Sequence, residues 1–194
     1  AEELIRRTTD RYRKDNAAIR DQAQSNPSLA RMGTTLTVAV SLASDLFVIH
    51  VGDTRAYLLR NGQLRQLTRD QTFVQSLLDA GILTQQEAAT HKMRHVLTQA
   101  LGQHAGTLKI EVQRLKLEDG DCLLLCTDGL TEMVPDQEIS AVLTNSGKAE
   151  QHCRALLDKA LDAGGKDNIT VVVAHYSLPT EKVTPRGWVD SRLP

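Results

Sequence analysis

The stretch Leu123-Leu124-Leu125-Cys126-Thr127-Asp128-Gly129-Leu130 reads as a strand that ends abruptly on an acid followed by a glycine. Its apolar run is short and unbroken, the pattern of a strand covered on both faces. Asp128 then stands where the strand leaves the core, and Gly129 permits a sharp turn or a close approach to a ligand. Taken alone, an acid in this position also suits a helix cap. A second stretch, Gly164-Gly165-Lys166-Asp167-Asn168-Ile169-Thr170-Val171-Val172-Val173, repeats the arrangement with Asp167 ahead of another apolar strand. Two acids at the ends of neighbouring buried strands are placed to hold a hard cation between them.

The 194 residues favour one domain with a substantial core. A formal charge of −1, from 23 basic and 24 acidic residues, implies no general attraction to nucleic acid or membrane surfaces. Aromatic content of 3% is too low for base-stacking platforms. No apolar run approaches the ~20 residues of a membrane span, and no signal-peptide pattern opens the chain. Of the three cysteines, Cys122, Cys126 and Cys153, the first two share one face of a strand, which suggests small buried hydrophobes rather than a disulfide framework or a zinc site. A reducing, cytoplasmic location is the expectation. The first residue is Ala rather than Met, which fits a processed start or a trimmed fragment.

Along the chain, residues 2–24 carry a patchy apolar stripe and predict a helix, ended by Ser25-Asn26-Pro27-Ser28. From Gly33 the period changes. Strands are expected over 34–40, 45–51, 55–60 and 63–67, with Asn61-Gly62 as a hairpin turn, and together they suggest a four-stranded meander. Val51-Gly52-Asp53-Thr54-Arg55 reads locally as a tight turn with a surface arginine. Residues 68–100 interrupt the strands with short helices at 72–80 and 85–90, a peripheral lobe whose entry carries Asp70 as a possible cap. His91, Arg94 and His95 cluster there without the spacing of metal ligands on a regular element. Strands over 110–117, 122–126 and 168–176 and helices over 135–143 and 149–163 complete the pattern. Residues 178–194, with Pro179, Pro185 and Trp188, read as a tail.

Six segments then fall into order: Met32-Gly33-Thr34-Thr35, Val51-Gly52-Asp53-Thr54-Arg55, Leu67-Thr68-Arg69-Asp70, Leu97-Thr98-Gln99-Ala100-Leu101-Gly102, Cys126-Thr127-Asp128-Gly129-Leu130 and Gly165-Lys166-Asp167-Asn168-Ile169-Thr170. In order and spacing they resemble the metal-dependent protein phosphatases (the PP2C or PPM family), most closely the bacterial Ser/Thr members. The resemblance implies an α+β fold: a sandwich of two antiparallel β-sheets flanked by helices, with a flap subdomain. Residues 1–177 would form the phosphatase domain, with the flap at about 68–95 and a tail at 178–194. An ordinary sandwich with capped turns would leave six matches to chance.

The resemblance further implies hydrolysis of phosphoserine and phosphothreonine at a binuclear Mg²⁺ or Mn²⁺ centre, with a third ion near the flap. Asp128 and Asp167 would be metal ligands, Asp70 and Glu132 would serve the looser third site, and Asp53 would orient water beside the metals. Gly129 and Asn168 would bring backbone close to the centre. Hard ions prefer such oxygen ligands, and two of them ~3.5–4 Å apart activate a water for in-line attack on phosphorus. No side-chain nucleophile is required. The implied partners are a phosphoprotein substrate and a Ser/Thr kinase or its targets.

Some of the family pattern is missing. The glycine-rich DG-x-GG segment, whose Asp bridges both metals, should precede the first helix, as should a phosphate-gripping arginine and a general-acid histidine. Nothing before Gly33 stands in for them. Thr54 replaces a usual Ser, Gln71 a usual His, and Thr127 a common Ser. A fragment of an active phosphatase is the favoured expectation, because the downstream acids are kept together. The alternative is a pseudophosphatase that acts as a regulatory protein-binding module. For residues 1–194 alone, the missing bridging acid leads us to expect negligible activity, and unpaired sheet edges suggest strand exchange or a dimer.

Overall fold

A computed structural model describes residues 1–103 and 107–178. The chain opens with helix α1 (Glu2–Ser25), followed by a single 3₁₀ turn, Pro27–Leu29. Then come β1 (Leu36–Leu42), β2 (Asp45–Val51), β3 (Arg55–Arg60) and β4 (Gln63–Gln66). Helices α2 (Phe73–Asp79) and α3 (Gln85–Thr90) form the inserted lobe. After β5 (Glu111–Lys116) and β6 (Cys122–Cys126) come α4 (Asp128–Thr131), α5 (Asp136–Thr144), α6 (Ala149–Asp162) and β7 (Val171–His175). Among the described residues no helix is long and apolar enough to cross a membrane. Trp188, Pro179 and Pro185 of the expected tail lie outside the described residues.

Two antiparallel sheets result, one ordered β1-β2-β5 and the other β4-β3-β6-β7. The expected four-stranded meander is therefore wrong: β1 and β2 belong to one sheet, β3 and β4 to the other. The chain crosses between them at Gly52, whose φ of 115° is one that side-chain-bearing residues rarely adopt. A Cβ there would also collide with the Thr35 side chain. The hairpin at Asn61-Gly62 forms as expected, both residues at positive φ (51° and 75°) and Arg60 paired with Gln63.

The alternation of side chains along each strand builds the layers. On β2, Phe47, Ile49 and Val51 face α1 and pack with Tyr12, Ile5 and Ile19. Tyr12 also donates to the Ile49 carbonyl, 2.9 Å away. Leu46 and Val48 point the other way and meet Ala56, Leu58, Leu67 and Leu123 between the sheets. On β6, Cys122, Leu124 and Cys126 turn outward beneath Ile139, Leu143 and Leu156 of α5 and α6. β6 is thus covered on both faces, which explains its unbroken apolar run. The three cysteines are free thiols, and burial pushes the Cys126 thiol up to about 12.

Candidate active site

β6 pairs with β7 in register Cys126↔Val171, so the two acid-bearing segments, one leaving and one entering the sheet, are adjacent. Thr127 ties them together. Its hydroxyl accepts from the Thr170 N–H (3.0 Å) and donates to the Asn168 carbonyl (3.1 Å), while its own N–H donates to the Thr170 carbonyl (3.2 Å). A serine hydroxyl would serve equally, so this departure from the family pattern is chemically neutral. Gly129 packs against the same segment, where an added Cβ would overlap the Asn168 carbonyl oxygen. The sequence missed the single helical turn α4, which Asp128 opens after Thr127 in extended geometry.

At this end of the sandwich a cavity of 410 Å³ is lined by Asp53, Asp70, Asp128 and Glu132, together with Arg55, His95 and Lys166. Four of the five expected acids therefore converge. Asp167 is exposed and does not line the cavity; its carboxylate accepts from the following Asn168 N–H at 2.7 Å.

Asp70 is not the cap of α2. Thr72 fills that role, its hydroxyl accepting from the Gln75 N–H at 3.1 Å. Asp70 is instead gripped by Arg55, whose Nε donates to Oδ1 (2.9 Å) and Nη2 to Oδ2 (2.7 Å), and by Gln66 Nε2 (3.0 Å). The same guanidinium reaches the Tyr57 hydroxyl at 2.9 Å. Arg55 is thus no surface arginine but a half-buried fork that fixes one carboxylate. Gln71, next in the chain, is buried. Its Oε1 accepts from the Gly52 N–H (2.9 Å) and its Nε2 donates to the Lys109 carbonyl (3.2 Å), which pins the base of the inserted lobe to the crossing between sheets. Thr54 meets Thr35 hydroxyl to hydroxyl at 2.7 Å, beside the same crossing.

Burial, reinforced by the negative charges of Asp128 and Asp70, pushes the Asp53 carboxyl up to about 6; Arg55 opposes the shift. Such mutual repulsion is what a divalent cation would relieve, and the donors are the oxygen type that Mg²⁺ and Mn²⁺ prefer. The donor set fits the group.

His95 is the residue that sequence spacing did not find. Its Nδ1 lies 2.8 Å from Glu132 Oε1 and 3.9 Å from Asp128 Oδ2, and Arg94 stands 4.0 Å from Glu132. His95, Asp128 and Glu132 present ligand atoms within 4.8 Å of one another. His91 takes no part in this cluster and accepts from the Met93 N–H instead. No spacing rule links residue 95 to 128 and 132, because the lobe brings them together only through its fold.

The family profile described as Protein phosphatase 2C matches residues 1–165. The chain is 41% identical over 172 residues to the serine/threonine protein phosphatase PstP of Mycobacterium tuberculosis (strain H37Rv), covering 89% of this chain and 33% of that protein. It is 38% identical over 156 residues to the serine/threonine phosphatase stp of Listeria monocytogenes (serovar 1/2a), covering 80% and 62%. It thus spans less than two thirds of either relative. Among solved structures, a Streptococcus agalactiae serine/threonine phosphatase superposes with TM-score 0.86 at 32% identity, over 91% of this chain and 72% of that one. The catalytic domain of PstP in complex with two manganese ions gives 0.74 at 39% identity, over 82% and 66%.

Proposed function

Because the chain belongs to the protein phosphatase 2C family, we propose that it forms the greater part of a metal-dependent phosphatase unit acting on phosphoserine and phosphothreonine in proteins. The observation that carries this reading is the convergence of Asp53, Asp70 and Asp128 on one cavity, with Asp53 pushed up to about 6 by burial and its two acidic neighbours. We take residues 1–177 as one domain with the flap at about 68–95, and 178–194 as a tail.

In this reading Asp128, on the cavity wall, and Asp167, on the adjacent strand end but outside the lining, would hold the principal Mg²⁺ or Mn²⁺ ions, Asp167 by turning its carboxylate inward from the Asn168 N–H. Asp70 and Glu132 serve a looser site beside the flap, and Asp53 orients water. The ions, when bound, supply a water acidified toward neutrality and positive charge for the phosphoryl oxygens. The chain's own residues do the positioning. Arg55 fixes the Asp70 carboxylate; Thr127 and Gly129 lock the two strand ends that carry Asp128 and Asp167; exposed Lys166 faces the cavity and offers charge to a substrate phosphate. Gly129 and Asn168, packed backbone to backbone, would bring main chain close to the metals. A Ser/Thr kinase or its targets are the matching partners, and the free thiols favour the cytoplasm. Edge strands β1, β4, β5 and β7 offer sites for strand addition by a second copy.

The test is Mn²⁺-dependent hydrolysis of a phosphothreonine peptide by the complete coding sequence that contains this chain. Asp128→Asn is expected to abolish hydrolysis and weaken Mn²⁺ binding while the fold persists. Hydrolysis unchanged by Asp128→Asn would overturn the assignment. Phosphopeptide binding without hydrolysis in the unsubstituted protein would favour the pseudophosphatase alternative.

A further inference from the structure

At the opposite end of β6 from Asp128, three side chains that the phosphatase chemistry does not use come together. Cys122 opens β6, His175 closes β7 directly across from it in the ladder, and His152 reaches down from α6. Their ligand atoms all lie within 4.8 Å of one another. Cys122 and His152 are buried at 4% and 5% exposure, whereas His175 is exposed and opens onto a cavity of 460 Å³. Three different elements supply the donors, so their separation is set by packed backbone rather than by a mobile loop.

We propose that Cys122, His152 and His175 form a second metal site, selective for a borderline-soft divalent ion of the zinc class over Mg²⁺ and Mn²⁺.

Three observations support it. First, His152 Nδ1 and His175 Nε2 are 3.1 Å apart. Two nitrogens each ~2.0–2.1 Å from a tetrahedral zinc ion lie roughly 3.3 Å apart, so the pair is already nearly at ligand spacing. Second, His152 Nε2 lies 3.1 Å from the Asn145 carbonyl. A carbonyl only accepts, so this contact places the ring proton on Nε2 and leaves the Nδ1 lone pair facing His175 and Cys122. Backbone carbonyls orient metal-binding histidines in this way. Third, the cavity admits solvent to a fourth position, which gives the ion an entry path and a water ligand. The thiolate–imidazole donor set is the soft one that excludes Mg²⁺ and Mn²⁺ from this site, just as the carboxylates at the other end favour them.

Without an ion, His175 Nε2–H donates to His152 Nδ1 and the two rings form a hydrogen-bonded pair. On binding, the His175 proton moves to Nδ1, the Cys122 thiol releases its proton to solvent, and the sulfur–metal bond forms. One proton leaves per ion bound.

Cobalt(II) is the probe, because a cysteine ligand gives a thiolate-to-cobalt charge-transfer band that carboxylates cannot. The full chain is stripped with chelator, the acid cavity is saturated with excess Mg²⁺, and Co²⁺ is titrated. A band that saturates at one ion per chain and is erased by Zn²⁺ is expected. Cys122→Ser should abolish it. His175→Ala, at an exposed strand end where folding is not at stake, should weaken Co²⁺ binding roughly tenfold or more. Absence of the band in the folded, unsubstituted chain would overturn the proposal and leave the histidines a hydrogen-bonded pair. So would a band that survives Cys122→Ser and disappears with Cys153→Ser, or one indifferent to His175→Ala.

Discussion

Gly129→Ala sets local helix preference against tertiary packing, and the two have opposite signs. Gly129 sits in the helical turn α4, where alanine is favoured over glycine by about 1 kcal/mol. On propensity alone the substitution stabilises. The tertiary structure argues otherwise: the new Cβ would overlap the Asn168 carbonyl oxygen and lie 3.0 Å from its carbonyl carbon and 3.4 Å from Ile169 Cγ1. The first two are backbone atoms and cannot swing aside as a side-chain end would. The Thr127 hydroxyl bonds to Asn168 and Thr170 hold that backbone in place. Overpacking costs roughly 1–3 kcal/mol, and a clash against fixed backbone falls in the upper part of that range, about 2–3, so it outweighs the propensity gain by about 1–2 kcal/mol. For a chain of this size the midpoint of thermal unfolding should fall by roughly 2–8 °C. Circular dichroism melts in metal-free buffer measure it. On the proposed role of Asp167 as a ligand, Mn²⁺ affinity should fall in parallel, because the segment pushed away carries it. A midpoint equal to or above that of the unsubstituted chain would refute the reasoning, since it would mean that the two strand ends are not locked against each other.

Arg55→Lys removes the fork on Asp70 while keeping the charge; Mn²⁺ binding by calorimetry should weaken about 10–100-fold, as for other losses of a group that orients a ligand. Arg60→Ala leaves Asp121, 1% exposed, without the guanidinium that donates to both of its oxygens (2.8 and 2.7 Å). Urea denaturation should show a loss of about 3 kcal/mol, the lower end for a broken buried pair because Arg60 is itself partly solvated. Burial pushes the His50 imidazole down, with Thr37 Oγ1 2.8 Å from its Nδ1 and the Arg69 carbonyl 3.2 Å from its Nε2. The unfolded chain protonates this ring near its ordinary ~6.5 while the folded chain resists, so stability is complete above that value and declines as pH falls through it. The melting-point difference between the unsubstituted chain and His50→Gln should therefore shrink between pH 7.5 and about 5.5; a constant difference would show that His50 is not held neutral.

The elements were legible where local physics is decisive. β2, β3, β6 and α3 fall where burial pattern, Asn61-Gly62 and the Thr84 capping box place them, because each signal is read within a few residues. The approach of β6 to β7, and with it the nearness of the Asp128 and Asp167 segments, followed from two similar stretches and a family resemblance. What local signals cannot carry is partnership between distant segments. Gly52 looks like any turn glycine, yet its left-handed backbone against Thr35 sends β3 into a different sheet from β2. Arg55 becomes the holder of Asp70, and His95 the neighbour of Glu132, only after the inserted lobe folds back over the strand ends. Cys122, His152 and His175 meet because a helix packs on one face of a ladder whose opposite strands pair end to start. Sequence fixes a residue's type and its face on one element; contacts between elements depend on register, crossing and layer order, which the whole core sets together.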